Sequence, residues 1–364
     1  MLSREDYKMG TRETVSLILI IIGAKFTDMT PSLMFDETEM ASWMALILSA
    51  GFFLFTYLIF LNVMKKYPDK GLIEVFKLLF GNVMGFWLGM ILFLIVMCGV
   101  IADARTNVGI ISTLYFPETS LLLLFFMLMA VCTFIAKRGL EAIGRTAVLF
   151  IVWIKAILLL LVLMIWKKLN FSFLFPLLGR EPERILTTGF KFMPIFAEIM
   201  LLSVFMYFFK SHHDLKKDTL IGFAITSFEL LCFWLFYIMT YDVPIIKEVT
   251  YMFHETTRII SVGRFLTNPE TIFLPVWLIA IFIRFAFYIY LITAIFSYLF
   301  NIHEFEPLLI IMAAIVMICG LIPENAIQVE YGIREHVVFQ YGSFYFFFFP
   351  FLMWIAQKRK EKKV

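Results

Sequence analysis

Eight ionisable side chains fall inside long apolar stretches of this 364-residue chain: Lys25, Asp28, Asp103, Arg105, Lys155, Glu198, Glu229 and Arg284. A charge at the centre of a membrane helix costs about 2.5–3.5 kcal/mol on insertion scales, so each should turn inward and find a partner. Groups of this kind grip the charged ends of a small polar ligand, or hand protons and ions across the bilayer. Lys25, Glu198 and Arg284 are the stronger site candidates. Asp103, Arg105 and Glu229 read as structural, with Asp103 and Arg105 close enough to the outer surface to snorkel. Lys25 and Asp28 share a helical face if the turn between them is intact. Enzyme chemistry has no footing, because no phosphate-binding loop, nucleophile elbow or dinucleotide fingerprint occurs. No cofactor is expected. His212, His213 and Asp214 read as a solvated loop rather than a metal site. Cys98, Cys132, Cys232 and Cys319 lie in apolar runs with no CxxC spacing, as small buried hydrophobes.

The elements that position these groups are interrupted. The stretch VSLILIIIGAKFTDMTPSLMF (15–35) begins as an apolar helix and then meets Gly23, Lys25, Thr27, Asp28 and Pro31. Backbone groups in lipid must be paired internally, so such a break survives only inside protein or beside a wet cavity. A second interruption follows Lys191, where Pro194, Ala197 and Glu198 enter the outer half of another apolar run. Proline removes a helical hydrogen bond and clashes with the preceding turn, which predicts a kink near 192–197.

Hydrophobic residues are 62% of the chain and charged residues 16%, against about 45–50% and 25% for a soluble domain. This predicts an all-α integral membrane protein. A formal charge of +3 is too small to suggest a nucleic-acid partner. Apolar runs predict ten spans, at about 15–35, 43–63, 85–115, 119–136, 146–166, 191–209, 219–241, 272–300, 306–322 and 338–356. No cleavable leader pattern precedes the first, which is expected to remain in the mature chain. Divided five and five, the two interrupted runs become spans one and six, and the unusually long runs become spans three and eight. That correspondence predicts inverted repeats within a single transmembrane domain, about 12–168 and 185–357.

Lysine and arginine concentrate in Arg4–Arg12, Lys65–Lys77, Lys137–Arg145, Lys210–Lys217 and Lys358–Lys363, which predicts both termini on the cytoplasmic side. The outer segment 242–271 should form one or two short surface helices, and KKLNFSFLFPLLGREPERIL should lie at the headgroups. The basic tail reads as an orientation signal in contact with the lipid bilayer. The Gly81, Gly85, Gly89 ridge reads as a place of close helix approach.

Several segments together resemble the spore germination permease family, the B subunit of nutrient germinant receptors and a branch of the amino acid/polyamine/organocation transporters. They are the Gly23-to-Pro31 break, EVFKLLFGNVMG (74–85), FPET (116–119), KRGLEAIGR (137–145), FPLLGR (175–180) and FAEIMLL (196–202). The resemblance implies a LeuT-like five-plus-five fold with helices 1 and 6 broken around a small-molecule pocket. It implies a nutrient sensor of the spore inner membrane, partnered by a receptor A subunit and a lipoprotein C subunit. The implied ligand-binding residues are Gly23, Ala24, Lys25, Phe26 and Thr27, with Pro194, Phe196, Ala197 and Glu198. Met97, Val100, Phe287 and Tyr288 join them by depth alone. Lys25 stands where an uncharged residue is usual, and Ala197 where glycine is. Relatives that work without sodium use a fifth-span lysine in place of the ion, a role open to Lys155 beside that of a lysine paired structurally with an acid. The expected function is binding of a small nutrient, an amino acid, to trigger germination. The alternative is a secondary amino acid permease in which Glu198 or Lys155 carries a proton.

Overall fold

The computed structural model describes residues 8–179, 181–259 and 270–362. Arg4, Arg180, Arg264 and Lys363, and part of the 242–271 segment, lie outside the described residues. Every regular element among the described residues is helical, as unbroken runs of Leu, Ile, Phe and Val with internally paired backbone require in a bilayer.

Helix α1 (Thr11–Ile21) starts where the Glu13 carboxylate accepts the Gly10 N–H at 3.1 Å. A tight turn over Gly23–Phe26 separates it from α2 (Thr30–Thr38). Next come α3 (Ser42–Met64), α4 (Leu72–Phe80) and α5 (Asn82–Ile110), the last widening into a π-type turn at Ile111–Tyr115. Gly81 takes φ 82° at the corner between α4 and α5, a conformation that glycine adopts without steric cost. A Cβ on Gly85 would sit 2.7 Å from the Lys77 backbone, and one on Gly89 would sit 2.6 Å from Leu299. The glycine ridge therefore lets α4 and the neighbouring long helix close onto α5.

Helices α6 (Leu121–Lys137) and α7 (Gly139–Ile165) follow. Then α8 (Arg184–Lys191) and α9 (Ala197–Leu201) flank a turn at Met193–Phe196, and 3-10 winding continues to Phe208. Helix α10 (His212–Thr240) is capped by Ser211, whose hydroxyl accepts the Asp214 N–H at 3.1 Å, so the histidine pair forms an ordinary helix start. The chain closes with α11 (Val243–Ile246), α12 (Met252–Ile259), α13 (Glu270–Phe300), α14 (Glu306–Leu321), α15 (Ala326–Val329), a π-type stretch over Glu330–Tyr341, and α16 (Gly342–Glu361).

Among the described residues, seven helical segments are long and apolar enough to cross a membrane, and α6 and α14 are apolar but shorter. The protein is thus an all-α, multi-pass membrane protein. Helices α5 and α13 are long, at 29 and 31 residues, but α10 also has 29, so excess length is not confined to the third and eighth runs. The first and last described residues lie at one end of the bundle. Lys8 donates to the Tyr207 carbonyl at 2.6 Å, Tyr207 bonds Glu74 at the start of α4, and Lys360 reaches Leu78 at its end.

Two local expectations are corrected. The described part of the 242–271 segment holds two short helices, of which α12 is wedged inward rather than on the surface: Met252, Phe253 and His254 are buried, because aromatic rings beneath supply an apolar seat, while Ile245 and Lys247 stay exposed. Cys232 is exposed on the outer face of α10 rather than buried.

Candidate functional site

The two interrupted stretches face each other through charge. At the first, α1 ends at Ile21 and Pro31 opens α2 as its second residue, where proline removes no helical bond. The Asp28 carboxylate accepts the Thr30 N–H at 2.8 Å and so fixes the start of α2. Carbonyls freed by the break are taken up locally: Thr27 donates to Ala24 O at 2.6 Å, and Tyr237 donates to Phe26 O at 2.7 Å. Trp277 in turn donates to the Thr27 hydroxyl at 3.0 Å. At the second, Pro194 sits inside the Met193–Phe196 turn, within the 192–197 window that the sequence predicts.

Lys25 joins the two. Its ammonium donates to the Ile195 carbonyl at 2.7 Å and lies 2.6 Å from Glu198 Oε1. Glu198 also accepts from the Tyr288 hydroxyl at 3.1 Å, which accepts from Arg284 Nε at 3.0 Å. The chain of contacts continues outward through Arg284 to Asp103 at 2.6 Å, and through Arg334 to Asp28 at 2.9 Å and Asp103 at 3.2 Å. Arg334 ends it on Glu330 at 2.9 Å, with Thr106 bonding the same carboxylate. Lys25 and Asp28 thus diverge, because the turn between them is not α-helical.

Asp103 is buried in this network and does not snorkel; two arginines hold it there. Arg105 faces the other way, onto the carbonyls of Pro323 and Glu324 at 3.3 and 2.8 Å. Arg334 and Glu330, which the sequence places in a loop, are buried at 3% and 0% exposure. Their signal is faint. The stretch EYGIREHVV is too polar to read as a span, and its arginine and glutamate stand four apart on a widened turn.

Two small cavities flank the first break. One, of about 50 Å³, is lined by Lys25, Val100, Pro194, Ala197, Glu198 and Tyr288, with Asp103 and Arg334 on its outer side. That is room for roughly three or four waters. The other, of about 40 Å³, is lined by Gly23, Ala24, Phe26, Thr27, Lys155 and Trp277. The turn of the first break is therefore a wall between them, Lys25 facing one side and its neighbours the other. Met97, Phe196 and Phe287 line neither. Phe196 packs its edge on Phe223 at 5.2 Å, and Phe287 packs on Phe205 at 6.0 Å. Along α5 the cavity face runs Val96, Val100, Asp103, a helical stripe that Met97 misses.

Lys155 pairs with Glu229 beside the second cavity. A Cβ on Gly23 would lie 3.2 Å from Glu229 Oε2 and 3.4 Å from Lys155 Nζ, so this pair rests directly on the break.

Away from the termini the bundle is closed by a second polar layer. Lys191 bridges Glu37 and, at 2.7 Å, Glu335; Thr188 bonds Glu37 at 2.7 Å; Lys247 meets Glu39 at 2.7 Å. Beneath it Phe26 stacks on Phe233 with centroids 3.7 Å apart, and Phe253 of α12 meets the edge at 5.6 Å. His254 contacts the Tyr115 hydroxyl at 2.8 Å and the Trp277 ring at 4.5 Å. Burial, with Arg258 adding to it, lowers the His254 imidazole to about 3, so the ring is neutral at physiological pH.

The arrangement offers a small, mostly apolar chamber between interrupted helices, with fixed charges of both signs at its edge. Sequence comparison bears on what such a chamber serves. Over 295 residues, 79% of this chain and 77% of the relative, the sequence is 21% identical to spore germination protein KB of Bacillus subtilis (strain 168). Over 336 residues, 90% of this chain and 93% of the relative, it is 20% identical to spore germination protein XB of Bacillus anthracis. Residues 8–329 match the model of the spore permease family, described as spore germination protein, and the chain belongs to that family.

Proposed function

We propose that this chain is the membrane subunit of a nutrient germinant receptor, and that a small nutrient, an amino acid, binds between the two helix breaks. The carrying observation is the Lys25–Glu198 contact across those breaks, at the edge of a cavity lined by both. A zwitterion needs an ammonium for its carboxylate and a carboxylate for its ammonium, and this pair holds one of each. The nutrient shifts the protein between two conformations, which it can do only by binding one better than the other. The cavity is far smaller than the roughly 300 Å³ at which ligand pockets begin, so the binding state opens the pair. Val100, Pro194, Ala197 and Tyr288 complete the lining of that cavity, and Gly23, Ala24, Phe26 and Thr27 back it from the far side of the turn.

In this reading ten spans form two inverted repeats in one domain, about 12–168 and 185–357, with both termini cytoplasmic in the spore inner membrane. Lys8 and Lys360 lie at the same end of the bundle, which supports an even number of crossings. The output passes to a receptor A subunit and a lipoprotein C subunit. A permease is the second reading, favoured by Lys155 lying on Gly23 in pair with Glu229; there Lys155 or Glu198 would carry a proton.

Reconstitution decides between them. In vesicles holding the full-length chain alone, a receptor subunit binds labelled amino acid without concentrating it. Accumulation under an imposed proton gradient contradicts the receptor reading.

A further inference from the structure

The buried network carries one carboxylate too many. Lys25, Arg284 and Arg334 face Asp28, Asp103, Glu198 and Glu330, three cations against four acids. Hydrogen-bond accounting shows which acid is in excess. Both oxygens of Asp28 are engaged, by Thr30 N–H and Arg334, and both of Asp103, by Arg284 and Arg334. Both of Glu198 are engaged by Lys25, with Tyr288 adding a bond. Glu330 takes Arg334 and Thr106 on one oxygen, while Oε2 is buried with no partner, and the residue is 0% exposed. A net buried charge is costly, and an acid left in surplus neutralises instead.

We infer that Glu330 is a proton-binding site: in this closed form its carboxyl carries the proton that balances the network. The neighbours on every side allow it. From α5 come Thr106, Asp103 and Arg105, the last committed to the Pro323 and Glu324 carbonyls. From the first break comes Asp28, and from the outer segment Tyr251; the Met193–Phe196 turn contributes no titratable group. Glu330 lines neither of the two cavities at the site. The consequence is that this form of the bundle holds one proton at neutral pH. This stands independently of which nutrient is bound or whether any is transported.

The test is infrared spectroscopy of the purified full-length chain in nanodiscs at neutral pH, read at the C=O stretch of protonated carboxyls. The wild type minus Glu330→Gln difference should contain one protonated carboxyl. Glu330→Gln, an uncharged isostere of the acid form, should fold with an unchanged melting temperature. In Asp28→Asn, or in Asp103→Asn if the first does not fold, cations and acids are equal in number, and the same band should be lost with Glu330 intact. Absence of the band in the wild type, its persistence in Glu330→Gln, or failure of that variant to fold overturns the assignment. So does a melting temperature that rises when sodium replaces potassium in the wild type but not in Glu330→Gln, because a metal cation then supplies the balancing charge.

Discussion

Replacing Lys25 by methionine keeps the length of the side chain and removes its charge, which isolates the contact between the two breaks. In the native chain the ammonium has two partners, Ile195 O at 2.7 Å and Glu198 at 2.6 Å, and the two side chains are 4% and 15% exposed. Lys25→Met leaves Glu198 with the Tyr288 hydroxyl alone. Removing one member of a buried pair costs about 3–5 kcal/mol, because the other is left as an uncompensated charge. The water that reaches Glu198 puts the expectation at the lower end, about 3 kcal/mol. At roughly 2–4 °C per kcal/mol for chains of a few hundred residues, that is a fall in melting temperature of about 6 °C or more. Lys25→Met/Glu198→Gln strands neither charge and should lose less than the sum of the single variants, with a coupling of about 0.5–3 kcal/mol. Thermal unfolding of the four proteins in one detergent closes the cycle. Additive losses, or a Lys25→Met protein within about 0.5 kcal/mol of wild type, would show that the contact does not join the breaks.

Three further outcomes follow from the same packing. Gly23→Val should push on the Lys155–Glu229 pair, since even a Cβ falls 3.2 Å from Glu229 Oε2; a loss of about 1–3 kcal/mol is expected, partly recovered in Lys155→Met/Glu229→Gln, and unfolding of the combined variant checks it. Gly85→Leu should cost a similar amount by driving α4 off α5, because its Cβ would meet the Lys77 backbone at 2.7 Å; a melting temperature equal to wild type would contradict the close approach. The neutral His254 makes the fold acid-sensitive. An imidazole held down to about 3 in the folded chain takes a proton more readily when unfolded, near 6.5. Its contribution is full above about pH 6.5 and is lost as pH falls toward 3, at up to about 1.4 kcal/mol per unit. His254→Phe should flatten that part of the melting-temperature profile, and an unchanged slope would place the acid sensitivity elsewhere.

The breaks were legible because they are written in single residues whose backbone chemistry is unambiguous: glycine and proline amid aliphatic runs. Lys25 and Glu198 were legible as inward-facing charges for the same reason, a cost too high to leave unpaired. Arg334 and Glu330 were not. They lie in a stretch whose polarity mimics a loop, and only the widened turn of Glu330–Tyr341 brings them under the cover of α5. Asp103 reads from sequence as a snorkelling residue because its two arginine partners, Arg284 and Arg334, are far away along the chain and nothing local announces them. The depth of Met97 and Phe287 in the sequence fixes their height along a helix but not their azimuth. Tyr237 and Trp277, which fasten the first break, carry the signal of an aromatic ring with a polar handle inside an apolar run. That signal is common enough in membrane helices to be passed over.

The most direct measurement is a thermal-shift panel of free amino acids on the purified full-length chain, run in parallel on wild type and Glu198→Gln. At a hundredfold excess over its dissociation constant a nutrient stabilises the wild type by about 2.7 kcal/mol. The receptor reading predicts that at least one amino acid does so and that the shift disappears in Glu198→Gln. Equal stabilisation of both proteins, or none of the wild type by any amino acid, would contradict a nutrient site between the two breaks.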